Sequence, residues 1–294
     1  MARAVVFAYH TIGVRCLEVL LDQGVDVALV VTHRDNPQEH IWFESVAALA
    51  AARGLPCILP DDPNDPAVVA QVRALCPDFI FSFYYRHMLG AGLLALPARG
   101  AYNLHGSLLP RYRGRVPVNW AVIRGETETG ATLHAMTAKP DQGDIVAQRP
   151  VPIGPDDTAF DVFQRVSQAG VAALRDALPA LLAGTAPHRP QDLAAGSYFG
   201  GRRPEDGRID WRAPAAHIHN LVRGVAPPYP GAFTTLDGQM VRILRTSLDR
   251  RPDAVAQTVG GDGAPLYILA LEIGGASIDA AEFRRRYPAG IRPS

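Results

Sequence analysis

Only three cysteines occur in 294 residues, Cys16, Cys57 and Cys76. Their number is odd, no C-x-x-C spacing is present, and each lies in an apolar or helix-like stretch. That argues against a disulfide framework and predicts reduced core thiols. An excess charge of one sign is missing too, since 29 basic residues balance 29 acidic ones, and from Glu205 onward the counts are 11 and 10. A large nucleic-acid footprint is therefore not expected in either part of the chain. No apolar run is long enough to span a membrane. The opening Met1-Ala2-Arg3-Ala4-Val5-Val6-Phe7 stops at Ala8 before Tyr9-His10, shorter than the core of a secretory leader. A cytoplasmic protein without membrane insertion is the expectation. The turn after the first apolar run, Tyr9-His10-Thr11-Ile12-Gly13, lacks Gly-x-Gly-x-x-Gly. A nicotinamide dinucleotide is disfavoured accordingly. Internal repeats and low-complexity tracts are absent as well.

What is there is ample apolar material, 48% of residues, enough for two cores at this length. Short apolar runs at Val5 to Ala8, Val25 to Val31, Pro56 to Leu59, Phe79 to Phe83 and Ala101 to Leu104 read as buried strands. Helical patterns lie between them, at Val14 to Leu21, Phe43 to Arg53 and Ala67 to Leu75, the last after the turn cluster Asp61 to Pro66. Repeated βα units of this length predict an α/β fold with a Rossmann-like doubly wound sheet. Thr132 to Met136 and Ile145 to Pro152 follow, then a long helix over Phe160 to Leu182. The remainder holds a short helix at Ala215 to Val225 and short strands at regular spacing, which suggests a small β-barrel or sandwich. The expected division is 1–198 and 199–294.

Asn103-Leu104-His105 closes a buried-type strand and runs into Gly106-Ser107-Leu108-Leu109-Pro110-Arg111-Tyr112-Arg113-Gly114, and Asp141 follows within Asp141-Gln142-Gly143. Asn103 and His105, two apart on a strand, point to one side. An amide can donate to an oxyanion, an imidazole can move a proton, and a carboxylate can orient the imidazole and raise its pKa. This is acyl-transfer equipment without a side-chain nucleophile. On their own, Asp141 also reads as a turn aspartate bonding its own backbone, and Asn103 as an amide satisfying a loop. Arg111, Arg113 and Arg115 suit a carboxylate or phosphate. Tyr84, Tyr85, Arg86 and His87 end another strand and are candidates to line the same crevice. His217 and His219 are two apart in a helical stretch and do not face one another, so no metal site is expected.

At these residues the chain resembles the formyltransferase family that uses formyltetrahydrofolate, which includes methionyl-tRNA formyltransferase and the nucleotide-sugar formyltransferases. Asn-x-His at Asn103 to His105, the Ser-Leu-Leu-Pro-x-Tyr-Arg-Gly element at Ser107 to Gly114 and Asp-x-Gly at Asp141 to Gly143 occur in order. Within the family the chain is most similar to the formyltransferase domain of the bifunctional ArnA-type polymyxin-resistance enzymes. Val5 to His10, Thr32 to Pro37, Phe81 to His87, Arg115 to Trp120 and Gly130 to His134 carry that likeness. The tRNA enzymes typically have a small residue where Arg115 stands.

The resemblance implies that Asn103 stabilises the tetrahedral oxyanion together with protonated His105, that His105 transfers the proton, and that Asp141 raises the pKa of His105. It implies folate contacts from His87, Met88, Leu89, Arg115, Thr137, Ala138, Lys139, Pro140 and Asp141, partly through backbone. The second domain would be a small barrel resembling an OB fold. Formyltetrahydrofolate is the implied cosubstrate with no metal, and a nucleotide amino sugar the implied partner, most specifically UDP-4-amino-4-deoxy-L-arabinose. A homo-oligomer is left open. Nothing follows Ser294, so the dehydrogenase and decarboxylase activity of the bifunctional enzymes is not expected. Tyr198 to Pro204 is similar to the family's nucleotide-side segment, with either Arg202 or Arg203 as its cation. Methionyl-tRNA formyltransferase, another nucleotide-sugar N-formyltransferase, formyltetrahydrofolate hydrolase and a folate-binding regulatory module are the alternatives.

Overall fold

A computed structural model describes residues 1–37 and 41–291. Its strands are β1 Arg3–Ala8, β2 Asp26–Val31, β3 Cys57–Ile58, β4 Phe79–Phe83, β5 Ala101–His105, β6 Arg113–Gly114, β7 Glu128–Ala135, β8 Ile145–Pro152, β9 Tyr198–Phe199, β10 Ala232–Leu236, β11 Gln239–Ser247, β12 Ala256–Val259, β13 Pro265–Ile273 and β14 Ala276–Ser277. Its helices are α1 His10–Asp22, α2 Val46–Ala52, α3 Pro66–Ala74, α4 Ala91–Leu94, α5 Pro117–Ile123, α6 Ala159–Ala183, α7 Ala215–Gly224 and α8 Ala280–Arg286. Two compact units result. One comprises residues 1–114, 130–151 and 165–199, the other 115–129, 152–164 and 200–294.

The first unit is organised by a seven-stranded sheet of order β3-β2-β1-β4-β5-β7-β8. β1 pairs in parallel with β2 and β4, and β4 with β5, whereas β5 and β7 run antiparallel. Every residue of β4 and residues 4–8 of β1 are buried, which is why these segments read as continuous apolar runs rather than alternating ones. Ser45 and Asp65 cap α2 and α3 by accepting from the Ala48 and Ala67 amides, and Pro66 fills the first position of α3. Four non-glycine residues with left-handed φ follow strands of this sheet: His10 (69°), Tyr84 (56°), Tyr112 (57°) and Asp141 (56°). Such residues cost roughly 1–3 kcal/mol each and persist where surrounding contacts over-determine them.

The second unit is built on a five-stranded antiparallel sheet, β10-β11-β13-β12 with β14 beside β13, curled by register shifts in β11 around Arg245. It stands in the part of the chain where short strands suggested a small barrel. Ile218 and Val222 of α7, Phe283 of α8, and Trp211, Val241, Ile243, Leu266 and Ile268 share one core. The Trp211 indole N–H, buried there, donates to Thr234 Oγ1 at 2.9 Å.

Three features depart from the sequence expectations. Helix α5 follows Val116 in the left-handed region with Pro117 at its first turn, and its seven residues are too short to show a helical period. Strand β7 begins at Glu128 rather than Thr132, because Glu128, Thr129 and Gly130 bring no large apolar side chain to mark the strand. Cys16 is buried, but Cys76 lies exposed just after α3 and is no core thiol. Among the described residues no helix is long and apolar enough to cross a membrane.

Candidate active site

The antiparallel pairing of β5 with β7 sets Asn103 opposite His134 and His105 opposite Thr132. Directly opposed residues share a face of the sheet, so these four side chains project together. The Asn103 amide donates from Nδ2 to His134 Nε2 at 3.1 Å. His134 can accept there because its Nδ1–H faces the Ala135 carbonyl at 2.8 Å. An amide has two N–H groups, and among the described residues the Asn103 side chain makes no other hydrogen bond. One oriented donor thus remains for a ligand. His134 is only 2% exposed and was not singled out for chemistry from the sequence. Its signal is the β5–β7 register, which no local pattern reveals.

The loop after β5 is tied down from beneath. His105 Nε2–H donates to the Tyr112 carbonyl at 2.8 Å, and Ser107 Oγ donates to the Arg111 carbonyl at 2.7 Å. Thr132 Oγ1 donates to the Ser107 carbonyl at 2.6 Å and accepts from the Leu109 amide at 3.1 Å. Gln148 reaches the Leu109 carbonyl at 2.8 Å. Ser197 adds a further tie from outside the loop, accepting from the Tyr112 amide at 2.9 Å.

Asp141 closes the cluster. Its Oδ1 lies 3.5 Å from His105 Nδ1 and 3.4 Å from His134 Nε2, and its Oδ2 accepts from the Gly114 amide at 2.8 Å. Gln191 pins the turn by donating to the Asp141 and Gly143 carbonyls at 3.0 and 2.6 Å. Glycine is required at 143, where a Cβ would lie 1.9 Å from the Ala135 carbonyl oxygen. Burial alone would raise the pKa of the Asp141 carboxyl; the charge that the His105 and His134 rings carry when protonated and the Gly114 N–H outweigh it and hold the pKa well below the usual range. For His105, burial is the largest influence and lowers the pKa. Asp141 and the Tyr112 carbonyl pull it upward without prevailing.

The residues expected at the folate divide in two. In the first unit Leu89 is buried in the core cluster formed by Val5, Phe7 and Ile80, and Met136 packs against that same cluster. The segments 87–89 and 137–141 are thus anchored to one patch of core. His87 and Met88 are exposed, as are Thr137, Ala138 and Lys139, with Pro140 half-buried. Thr137 Oγ1 donates to the Lys139 carbonyl at 2.8 Å, which shapes the turn. Arg115 belongs to the second unit, is exposed, and makes no hydrogen bond or ion pair among the described residues. That unit also contains a cavity of about 140 Å³ lined by Asn119, Arg202, Arg203, Val225 and Tyr229 among others. Arg202 lies over the Trp120 ring, 4.7 Å from its centroid, and donates to the Asp206 carbonyl at 2.7 Å. Arg203 makes no ion pair among the described residues. His219 is held through both ring nitrogens by Thr246 and the Pro155 carbonyl. Among the described residues no group of three His, Cys, Asp or Glu is placed to hold a metal ion.

The formyl transferase family model matches residues 5–178, and the model of the formyl transferase C-terminal domain matches residues 202–285. The chain belongs to the formyl transferase family. Solved structures similar to this formyltransferase include the N-formyltransferase from Helicobacter canadensis in complex with folinic acid and dTDP-3-aminofucose. It is 18% identical with a TM-score of 0.71, covering 91% of this chain and 99% of that one. WlaRD, a sugar 3N-formyl transferase in the presence of dTDP and 5-N-formyl-THF, is 17% identical with a TM-score of 0.74, covering 94% and 99%. A 4-N formyltransferase from Francisella tularensis is 19% identical with a TM-score of 0.66, covering 80% and 93%. In this formyltransferase, then, the cluster of Asn103, His105, His134 and Asp141 lies inside the part matched by the family's N-terminal model.

Proposed function

We propose that this formyltransferase moves a formyl group from formyltetrahydrofolate to the amine of a nucleotide-linked amino sugar, in the cytoplasm, with UDP-4-amino-4-deoxy-L-arabinose as acceptor. In that assignment it serves lipid A modification and polymyxin resistance. The chemistry is assigned to residues 1–198. The observation that carries the reading is the Asn103 amide, fixed by His134 with its second N–H free, beside a buried His105 whose Nδ1 lies 3.5 Å from Asp141. Similar structures that hold folates together with dTDP or a dTDP amino sugar support the donor and the acceptor class. Arg115 and the segments around it favour the ArnA-type acceptor.

The acceptor amine attacks the formyl carbon, forming the new C–N bond and placing negative charge on the formyl oxygen, to which Asn103 donates. Neutral His105 takes the proton that the nitrogen sheds. The imidazolium so formed is stabilised by Asp141 and by the Tyr112 carbonyl, the two acceptors already facing its ring nitrogens. When the tetrahedral centre collapses, the bond to the folate nitrogen breaks and the proton passes from His105, directly or through water, to that nitrogen. Arg203 is assigned to the nucleotide phosphates, because Arg202 is already engaged by Trp120 and the Asp206 carbonyl.

The test is to incubate the protein with formyltetrahydrofolate and a panel of UDP and dTDP amino sugars plus charged initiator tRNA, detecting formylated product by mass. A formylated UDP-4-amino-4-deoxy-L-arabinose is the expected product. Formylated initiator tRNA alone would overturn the acceptor assignment. Asn103→Ala and His105→Ala are each expected to reduce turnover ~100- to 1000-fold with folate binding retained.

A further inference from the structure

The backbone that follows β4 carries His87, Met88 and Leu89, and it is gripped on both flanks by side chains from other parts of the first unit. On one flank, Asn64 donates from Nδ2 to the Met88 carbonyl at 3.0 Å and accepts at Oδ1 from the Gly90 amide at 2.6 Å. The same amide donates to Asp62 Oδ1 at 3.1 Å, so each of its hydrogen-bonding groups is used and its plane is fixed. On the other flank, the Arg86 amide donates to His33 Nε2 at 3.0 Å. The His33 ring stacks on Tyr85 with centroids 4.1 Å apart and meets the His87 ring edge-on at 4.8 Å. Burial, with His87 and Arg86 nearby, lowers the pKa of His33 to about 4, so its Nε2 lone pair is available at neutral pH.

The hydrogen bonds fall on the backbone of residues 86, 88 and 90 and the ring contacts on Tyr85 and His87, while the side chains of His87 and Met88 stay exposed. Tyr84, at the start of the segment, has a left-handed φ of 56°, a conformation that does not hold itself. Neither Asn64 nor His33 belongs to the catalytic cluster, and Asn64 lies exposed in a turn where no packing requires an amide.

We propose that Asn64 and His33 are positioning residues that clamp the 86–90 backbone in the conformation that receives the formyl donor. The proposal rests on the reading that this segment contacts the folate. Asn64→Ala removes both bonds to the segment. Asn64→Asp keeps the acceptor for Gly90 but sets an anion against the Met88 carbonyl. His33→Phe keeps a ring on Tyr85 without the acceptor, and His33→Gln keeps an acceptor near the Nε2 position without the ring.

The experiment measures binding of folinic acid to the intact protein by calorimetry, together with KM for formyltetrahydrofolate, KM for the amino sugar and kcat. Thermal unfolding is followed in parallel. Loss of two neutral hydrogen bonds predicts about tenfold weaker folinic acid binding and about tenfold higher donor KM for Asn64→Ala. Acceptor KM and kcat should stay within about twofold, since the chemistry is untouched. His33→Phe should behave alike and His33→Gln should recover most of the loss, a pattern that general destabilisation does not produce. Wild-type donor affinity in folded Asn64→Ala and His33→Phe overturns the clamp while leaving the donor reading intact. A wild-type protein that binds no folinic acid and uses no formyltetrahydrofolate overturns the donor reading, and the clamp with it.

Discussion

Replacing Asp141 by Asn tests the electrostatics of the site without disturbing its shape. Asparagine tolerates the left-handed backbone found at 141, and its carbonyl can still accept from the Gly114 amide. What is lost is a full negative charge 3.5 Å from His105 Nδ1. At the effective dielectric that suits protein sites, that charge is worth about 4–5 kcal/mol to an imidazolium, before the amide dipole and entering water offset part of it. Without that charge the His105 pKa falls, since Asp141 is the strongest influence raising it. His105 acts as a base only when neutral, so activity rises with pH through its pKa. The acid limb of the kcat/KM profile must therefore move to lower pH in the variant. The plateau should also fall, by ~10- to 100-fold, because the imidazolium formed during transfer has lost its partner. The assay is mass detection of formylated sugar from pH 4.5 to 9. An unmoved limb with a plateau within twofold of wild type would refute the argument and reduce Asp141 to a turn former.

His134→Ala deprives the Asn103 amide of its acceptor, and about tenfold lower kcat is expected, with His134→Gln recovering part through an acceptor near the same place. Equal turnover in all three proteins would show that Asn103 orients itself. His10 is buried, and burial together with Arg86 lowers its pKa to about 4. A folded pKa below the unfolded value means stability that is complete above pH ~6.5 and is lost as pH falls from there toward 4, by up to about 3 kcal/mol for this group. His10→Asn, which suits the left-handed φ, should flatten urea-unfolding stability between pH 7 and 4.5 by about 2 kcal/mol. An unchanged difference would mean that the His10 pKa is not lowered by folding.

Much of the first unit could be read from its residues. Phe79–Phe83 and Ile145–Pro152 begin and end where their apolar patterns do, and the long helix over 159–183 departs by one residue at each end. Phe79–Phe83 is buried at every position, and Ile145, Val146 and Val151 are the buried positions of Ile145–Pro152. The pairing partners were not legible, because the antiparallel turn of β7 against β5 is decided by what lies between residues 106 and 127. For that reason Asn103 and His105, two apart on one strand, could be placed together from sequence, whereas His134 could not. The sign of the Asp141 influence on His105 follows from charge alone. Its outcome does not, since the degree of burial decides it and burial is a property of the packed molecule.

The amide and the imidazole of this enzyme sit on β5, an interior strand flanked by β4 and β7, while the segments expected to meet the substrates are loops anchored at a few points. Interior strands open to solvent only when the whole sheet unfolds, whereas such loops can open locally at a fraction of that free energy. Recognition and chemistry therefore fail at different points along a denaturation curve: affinity for the donor is lost while the reacting groups are still in register. The same separation gives evolution room to exchange acceptors by rewriting loops, since the paired strands that hold the chemistry do not register the change.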